Sequence, residues 1–347
     1  MNFTIKKIAL TLLVMIHIAA FSFEQALMMS QTKRYHVCAP MARILVPDVF
    51  RILPANRYFF HSNLFRESFI QIGQALYGEQ VTVWTDTDCT SYLEGSFGQM
   101  GQLLYKTVGS NFTRFDNLIS EESIAPLLEG LTQAFVQEPA AHLYNSDKSV
   151  HETIPMGSSV YIRESSNADF FECLDYKTQS FTLIRKSDVI TQLELAELNK
   201  TQLSTRIVAQ ANKLVDQPYQ WGGRSALNGS GFDCAGLVEA AYRSCNQKIT
   251  CGVQGQFDLS REIEPQNLQP GDLIFFYQNK FNTRKVDHVI MYAGAMDNLI
   301  ESCPLAGVVK KSKFTDQFKA MIPECRNGDA FTVCDEIYHI SFRSILK

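Results

Sequence analysis

The sequence lacks several features that would assign it to common classes of protein. Its 347 residues carry a formal net charge of −4, so no basic excess favours binding to nucleic acid or to anionic membranes. It contains no heptad pattern, low-complexity tract or internal repeat, which excludes coiled coils and solenoids. None of its nine cysteines forms a C-x-x-C pair, which disfavours a zinc site. A hydrophobic content of 46% with 20% charged residues fits a folded globular protein.

Long apolar runs are also scarce, and the clearest one lies at the N-terminus. Lys6 and Lys7 precede a mostly apolar segment, residues 8–21, which ends in small residues. This segment is shorter than the ~20 residues that a membrane-spanning helix needs. The order of charge, apolar segment and small residues predicts a signal peptide over residues 1–22. We therefore expect an exported protein, periplasmic or secreted, without stable membrane insertion.

The nine cysteines all follow this segment. In an oxidising compartment they can form disulfides, and their odd number leaves at least one thiol outside intramolecular pairing. The closely spaced pairs Cys245/Cys251 and Cys325/Cys334 are the first candidates. No pairing follows from the sequence.

Residues 31 to about 190 show short β segments separated by turn residues. Examples are Gln80–Trp84, Ser159–Ile162 and Phe181–Ile184. Such strands are typical of small barrels rather than of β-α-β units. The helix-prone segment Thr191–Asn199 is predicted to be a linker to the rest of the chain.

Cys234 is the candidate nucleophile. Apolar residues recur at helical spacing after it, so a helix is predicted to begin at or just before Cys234, with Asp233 as its N-cap. An earlier helix is predicted over Ser204–Val215. A helix N-terminus favours the thiolate, which is the form of cysteine that attacks carbonyl carbons. Taken alone, the motif fits a buried structural cysteine equally well.

His288 is the candidate base. Pro270–Phe276 predicts a turn that enters an apolar strand, and Val286–Gly294 predicts a second strand with His288 near its start. A histidine in such a strand can be a core residue. It can also be the partner of Cys234, brought close by folding.

Four ordered segments resemble the NlpC-type peptidases, papain-like cysteine enzymes of cell-wall turnover: Tyr219–Gly223, Asp233–Val238, Pro270–Phe276 and His288–Gly294. The resemblance covers residues 205–345 and implies an α+β, papain-like catalytic domain. It implies that Cys234 attacks the scissile carbonyl and that His288 transfers the proton. In the family a third polar residue, usually histidine, orients the base, and Glu301 stands at the matching place here.

The resemblance also implies residues that bind the substrate. Tyr219 matches a tyrosine that helps to form the oxyanion site, although the loop around Ala226–Asn228 is longer than usual. In members with preceding barrels, an Asp-Cys-Ser sequence helps to bind the free amine of an L-alanine end. This chain keeps Asp233 but has Ala235 instead of serine, which puts that preference in doubt.

Two further segments, Ala75–Val81 and Ile154–Val160, resemble bacterial Src-homology-type barrels. They imply one or two small β-barrel domains ahead of the catalytic domain, a first module over residues 31–130 and a second over residues 131–190.

The implied activity is hydrolysis of a γ-D-glutamyl–diamino acid bond in peptidoglycan stem peptides through an acyl-cysteine. We expect a monomer that uses no metal or cofactor. A papain-like amidase or acyltransferase acting on another substrate and a non-catalytic cell-wall binding protein are the alternatives.

Overall fold

The structure of the chain is a computed structural model that describes residues 31–37, 41–47, 69–77, 80–85, 91–94, 118–250, 252–280, 283–333 and 336–346. The predicted signal peptide lies outside these residues. Among the described residues, no helix has the length and hydrophobicity needed for a transmembrane span.

The helices of the described segments are mostly short. The α-helices are α1 Glu121–Ile124, α2 Gln192–Ala196, α3 Lys200–Lys213, α4 Cys234–Arg243, α5 Val253–Leu259 and α6 Phe314–Phe318. Single turns of 3₁₀-helix lie at Ala125–Leu127, Lys186–Asp188, Leu227–Gly229, Pro265–Asn267 and Ile322–Glu324.

In the segments that the structure describes, six strands precede residue 121. They are β1 Gln31–Val37, β2 Met41–Pro47, β3 Phe69–Leu76, β4 Gln80–Thr85, β5 Ser91–Glu94 and β6 Leu118–Ser120. One sheet has the order β5-β4-β1-β6, and β2 pairs separately with β3. The strand predicted over Gln80–Trp84 is confirmed as β4.

A second sheet follows, with the order β13-β7-β10-β11-β12-β8-β9. Its strands are β7 Thr132–Val136, β8 Ala140–Tyr144, β9 Val150–Pro155, β10 Ser159–Glu164, β11 Phe170–Asp175, β12 Ser180–Arg185 and β13 Val189–Thr191. All neighbours pair antiparallel, as hairpin connections require. The two predicted strands within this region are confirmed as β10 and β12, whereas the barrel-like modules stay a prediction.

Tyr77 belongs to the core of this second sheet, although its motif predicted a place in the first module. Its side chain is 1% exposed and packs with Val160 and Tyr176. The Tyr77 hydroxyl also accepts a hydrogen bond from the backbone N–H of Tyr176 at 2.9 Å. One residue of the first predicted module therefore packs in the core of the second.

The C-terminal part has mixed helix and sheet content, as predicted. Its strands are β14 Arg261–Glu262, β15 Leu273–Lys280, β16 Thr283–Gly294, β17 Asn298–Cys303, β18 Val308–Lys313, β19 Ala330–Val333 and β20 Glu336–Ser344. The sheet order is β14-β20-β15-β16-β17-β18, with β19 added beside β20. Helices α3 and α4 cover one face, where Ile207, Leu237, Phe275 and Met291 share a core.

The predicted linker contains a short helix, α2, in agreement with its helix-prone sequence. Thr191 ends β13 and caps α2, and Asn199 caps α3 in a capping box with Gln202. This cap starts α3 at Lys200, four residues before the predicted start.

Gln137 joins the sheet formed by β7–β13 to the helices of the C-terminal part. Its side chain is buried, and its amide donates to the backbone oxygen of Ser244 after α4. Its side-chain oxygen accepts hydrogen bonds from Arg206 and Gln210 of α3. The sheet is thus fixed against the helix that begins at Cys234.

Candidate active site

Cys234 is the first residue of α4, as predicted, and Asp233 is its N-cap. One carboxylate oxygen of Asp233 accepts from the Gly236 N–H at 2.6 Å, and the other accepts from the Gly222 N–H at 2.9 Å. A side chain at Gly236 would meet the Gly223 backbone oxygen, because a Cβ there would lie 2.0 Å from it. The start of the helix is therefore packed closely against the glycine turn before it.

These contacts define what Asp233 does in the structure. Burial raises the pKa of Asp233 to about 6, although the backbone N–H donors favour its charged form. Both carboxylate oxygens bind backbone N–H groups, which makes Asp233 a helix cap. Its predicted contact with substrate stays a prediction.

His288 lies on β16 and faces both other predicted catalytic residues. Its Nε2 is 3.1 Å from Oε2 of Glu301 on the neighbouring strand β17. The negative charge of the Cys234 thiol acts on the same imidazole. With Nε2 bound to Glu301, Nδ1 is the ring nitrogen that remains to interact with Cys234. The structure thus brings Cys234, His288 and Glu301 together in one line of contacts.

The charges in this line support one another. Burial alone would lower the pKa of His288, but the negative charge of Cys234 and the hydrogen bonds to Cys234 and Glu301 raise it to about 10. Burial likewise opposes ionisation of Glu301, but its bond to His288 and the charge of Lys310 lower the pKa of the carboxyl group below its usual value. These interactions favour the imidazolium form of His288 beside the carboxylate of Glu301.

Sequence reasoning missed the groups on the far side of Glu301. Oε1 accepts a hydrogen bond from Gln317 of α6, and Lys310 Nζ lies 3.4 Å from the same oxygen. Ser312 on β18 is 3.5 Å away. Lys310 and Ser312 are two residues apart on β18, so their side chains point to the same face of the sheet. No sequence motif linked either residue to Glu301. Gln317 carries no sequence signal at all.

Tyr219 lies close to Cys234, as predicted. Its N–H donates to the Gly307 oxygen at 2.8 Å, and it pairs with Phe232 just before the cysteine. Burial and the charge of Cys234 both raise the pKa of Tyr219, so its hydroxyl stays protonated and can donate. The longer loop forms the 3₁₀ turn Leu227–Gly229 and leaves this pairing intact.

Ser302 connects strand β17 to the segment that precedes α4. Its hydroxyl donates to the Phe232 backbone oxygen at 2.7 Å. Glu301 is the preceding residue on β17, and Cys234 lies two residues after Phe232. This bond therefore holds the strand of the carboxylate against the chain that leads into the helix of the thiol.

Five cysteines in the described residues carry free thiols, among them Cys245 and Cys325. Their proposed disulfide partners, Cys251 and Cys334, lie outside the described residues. Burial raises the pKa of the thiols of both Cys245 and Cys325 to about 11.

A thiol at the start of a helix, beside a histidine and a carboxylate on a sheet, is the arrangement of papain-like cysteine enzymes. Residues 216–321 match the model of the NlpC/P60 family, as the motifs of this part of the chain predicted.

Three curated relatives match this region. Murein DD-endopeptidase MepH of Escherichia coli is 36% identical over 106 residues, which cover 29% of this chain and 38% of the relative. The gamma-DL-glutamyl hydrolase of Bacillus subtilis is 28% identical over 130 residues, or 36% of this chain and 30% of the relative. The gamma-D-glutamyl-L-lysine dipeptidyl-peptidase of Bacillus cereus is 26% identical over 167 residues, or 48% of each. The chain thus spans less than half the length of these relatives.

One solved structure is similar over most of the chain. An NlpC/P60 family protein from Bacillus cereus superposes with a TM-score of 0.63 over 90% of this chain and 100% of the other, at 18% sequence identity. At this identity the similarity concerns the fold alone.

Proposed function

We propose that this chain is a cysteine peptidase that cleaves peptidoglycan stem peptides at the bond between γ-D-glutamate and a diamino acid. One observation carries the proposal: within the region that matches the NlpC/P60 family, His288 interacts with Cys234, and its Nε2 lies 3.1 Å from Oε2 of Glu301. The names of two relatives, a γ-DL-glutamyl hydrolase and a γ-D-glutamyl-L-lysine dipeptidyl-peptidase, support this choice of bond.

The reaction runs through an acyl-cysteine. Cys234 Sγ attacks the carbonyl carbon, and His288 Nδ1–H gives its proton to the departing amine as the C–N bond breaks. His288 then takes a proton from water, which attacks the thioester, releases the acid and restores the thiol. Glu301 accepts the Nε2–H throughout and stabilises the imidazolium.

Two donors serve the oxyanion of the tetrahedral intermediates. One is the Cys234 backbone N–H at the start of α4, where the helix dipole also favours negative charge. The other is the Tyr219 hydroxyl, which burial keeps protonated. Ala235 supplies no hydroxyl group where related members have a serine, so we do not expect a strict requirement for a free N-terminal L-alanine.

The proposed substrate lies outside the cytoplasm, which agrees with the signal peptide predicted over residues 1–22. We therefore propose that the protein is exported and acts in the periplasm or after secretion. Identification of the mature N-terminus by mass spectrometry tests this step, and an intact Met1 on cytoplasmic protein would contradict it.

The proposed reaction is tested by digestion of defined stem peptides and mass spectrometry of the products. Tripeptides and tetrapeptides with free or blocked L-alanine ends should be cut after γ-D-glutamate at comparable rates. The Cys234→Ala variant is the control and should release nothing. Cleavage elsewhere, or of a non-peptidoglycan amide alone, would contradict the proposal.

A further inference from the structure

Glu301 is bound from two sides. Its Oε2 is 3.1 Å from His288 Nε2. Its Oε1 accepts a hydrogen bond from Gln317 and has Lys310 at 3.4 Å and Ser312 at 3.5 Å. His288 therefore contacts one oxygen of the Glu301 carboxylate, and the other three residues contact its second oxygen.

Gln317 is presented from a short helix that packing holds in place. Phe314 on α6 is fully buried, and its ring lies 4.7 Å from that of Phe318, centre to centre. The Thr315 hydroxyl donates to Asp297 at 2.6 Å. Both ends of α6 are thus anchored, so the backbone of Gln317 has little freedom to move.

The amide of Gln317 is fixed more firmly than the ammonium of Lys310. Its Nε2 also lies 2.8 Å from Ser312 Oγ, so one amide binds two oxygens. The Lys310 side chain is 35% exposed and its charge is partly solvated. A flexible, hydrated cation holds a carboxylate in one orientation less well than a packed amide does.

We propose that Gln317 is a positioning residue for the catalytic line: it holds Oε1 of Glu301 so that Oε2 stays directed at His288 Nε2 and Nδ1 stays directed at Cys234. This inference rests on the proposed cysteine peptidase function. Without the amide, the carboxylate of Glu301 can turn towards Lys310, and the imidazole loses the acceptor that fixes its plane.

The other charged groups around Glu301 define what a pH experiment reports. His288 faces it from β16 and Lys310 faces it from β18. Cys234 and Tyr219 lie beyond the imidazole. Gln317 and Ser312 are uncharged donors to Oε1, so replacing Gln317 with an acid adds one new titrating group at a known oxygen.

Two variants at this position separate positioning from packing. Gln317→Leu keeps the size of the side chain but cannot donate, and we expect kcat to fall about tenfold with little change in KM. In Gln317→Glu, the neutral acid can donate to Glu301 whereas the ionised form repels it. The ratio of kcat for this variant to kcat for the parent should therefore rise towards one as the pH is lowered. Asp316→Asn, at an exposed position of the same helix, is the matched control and should behave like the parent.

Alkylation of Cys234 by iodoacetamide as a function of pH gives a second, substrate-free measurement. The midpoint for Gln317→Leu should move to higher pH, because a poorly oriented imidazolium stabilises the thiolate less. Parental midpoints in Gln317→Leu, or a pH-independent ratio in Gln317→Glu, would overturn the proposal. A parent that alkylates at mildly acidic pH but cuts no stem peptide would overturn the proposed function, and the shift of the midpoint would still decide the role of Gln317.

Discussion

The described residues include two histidine–carboxylate pairs of nearly the same geometry, which lie in two different sheets. His288 and Glu301 lie 3.1 Å apart in the C-terminal sheet, and His151 and Asp175 lie 3.0 Å apart in the sheet formed by β7–β13. Each histidine uses Nε2, and each carboxylate is almost fully buried. The distance within the pair therefore does not distinguish a catalytic centre from a structural contact.

The surroundings make the difference. Asp175 accepts hydrogen bonds from the Thr178 hydroxyl at 2.6 Å and from the Lys177 N–H at 2.9 Å, and the Tyr77 hydroxyl lies 3.4 Å away. Its carboxylate thus stabilises the turn after β11. His288, in contrast, interacts with the Cys234 thiol as well as with its carboxylate partner. A nucleophile at a helix N-terminus turns a common pair into a candidate for acyl transfer.

The largest expected effect follows from removing that nucleophile. Cys234→Ala should abolish turnover of stem peptides, because no other group is placed to form the acyl intermediate in the described site. The melting temperature should stay close to that of the parent. Cys173→Ala, in the core of the other sheet, is the control and should leave kcat unchanged. Turnover by Cys234→Ala would refute the assignment.

Replacing the two histidines tests the comparison directly. His288→Ala should lower kcat by roughly 10²–10⁴-fold, the usual contribution of positioned acid–base catalysis. His151→Ala should lower it by less than a factor of two. Steady-state kinetics on one stem peptide measures both, and equal losses in the two variants would show that the pairs do not differ as described.

Loss of the Glu301 carboxylate should mainly lower kcat, whereas loss of the Asp175 carboxylate should mainly lower the free energy of unfolding. Glu301→Ala should lower kcat by about 10–100-fold, as for other groups that orient a functional histidine, and Glu301→Gln should recover part of the loss because it keeps an acceptor. Asp175→Ala should instead cost about 1–3 kcal/mol of unfolding free energy with little change in kcat. Kinetics and urea unfolding of all three variants test this, and full activity in Glu301→Ala would contradict it.

The smallest expected effects concern the helix caps of the two regions. Asp233→Ala and Thr191→Ala should each cost about 1 kcal/mol of unfolding free energy. Asp233→Asn should cost less, because asparagine is an equally good cap.

The pKa of Asp233 is raised to about 6 in the folded state, above its ordinary 3.8, so the folded state binds this proton more tightly. This group therefore makes unfolding easier as the pH rises between these values. Urea unfolding across that range should show a shallower decline in Asp233→Asn than in the parent.

Local sequence signals predicted much of the site. The spacing of apolar residues gave the start of α4 at Cys234, and the chemistry of Asp233 gave its cap. The contact of His288 with Glu301 depends on the pairing of β16 with β17, and only the resemblance to a family suggested it. Nothing in the segment Phe314–Phe318 pointed to Gln317, because its role arises when a cluster of aromatic rings packs α6 beside the carboxylate.

The buried ion pair between Arg224 and Glu239, a residue of α4, was missed for the same reason. The two residues are far apart in any local pattern, and their side chains are 3% and 1% exposed. The place of Tyr77 was also unpredictable, since its motif lies in one sequence segment and its ring packs among residues of another.

The most direct test of the account is to identify which cysteine reacts first with a thiol probe at mildly acidic pH. We expect rapid labelling of Cys234, mapped by peptide mass spectrometry, and slow labelling of Cys173, Cys245, Cys303 and Cys325. The selectivity should disappear in His288→Ala, because the imidazolium that favours the thiolate is then absent. Labelling of Cys234 no faster than the other thiols, or unchanged in His288→Ala, would contradict the central claim.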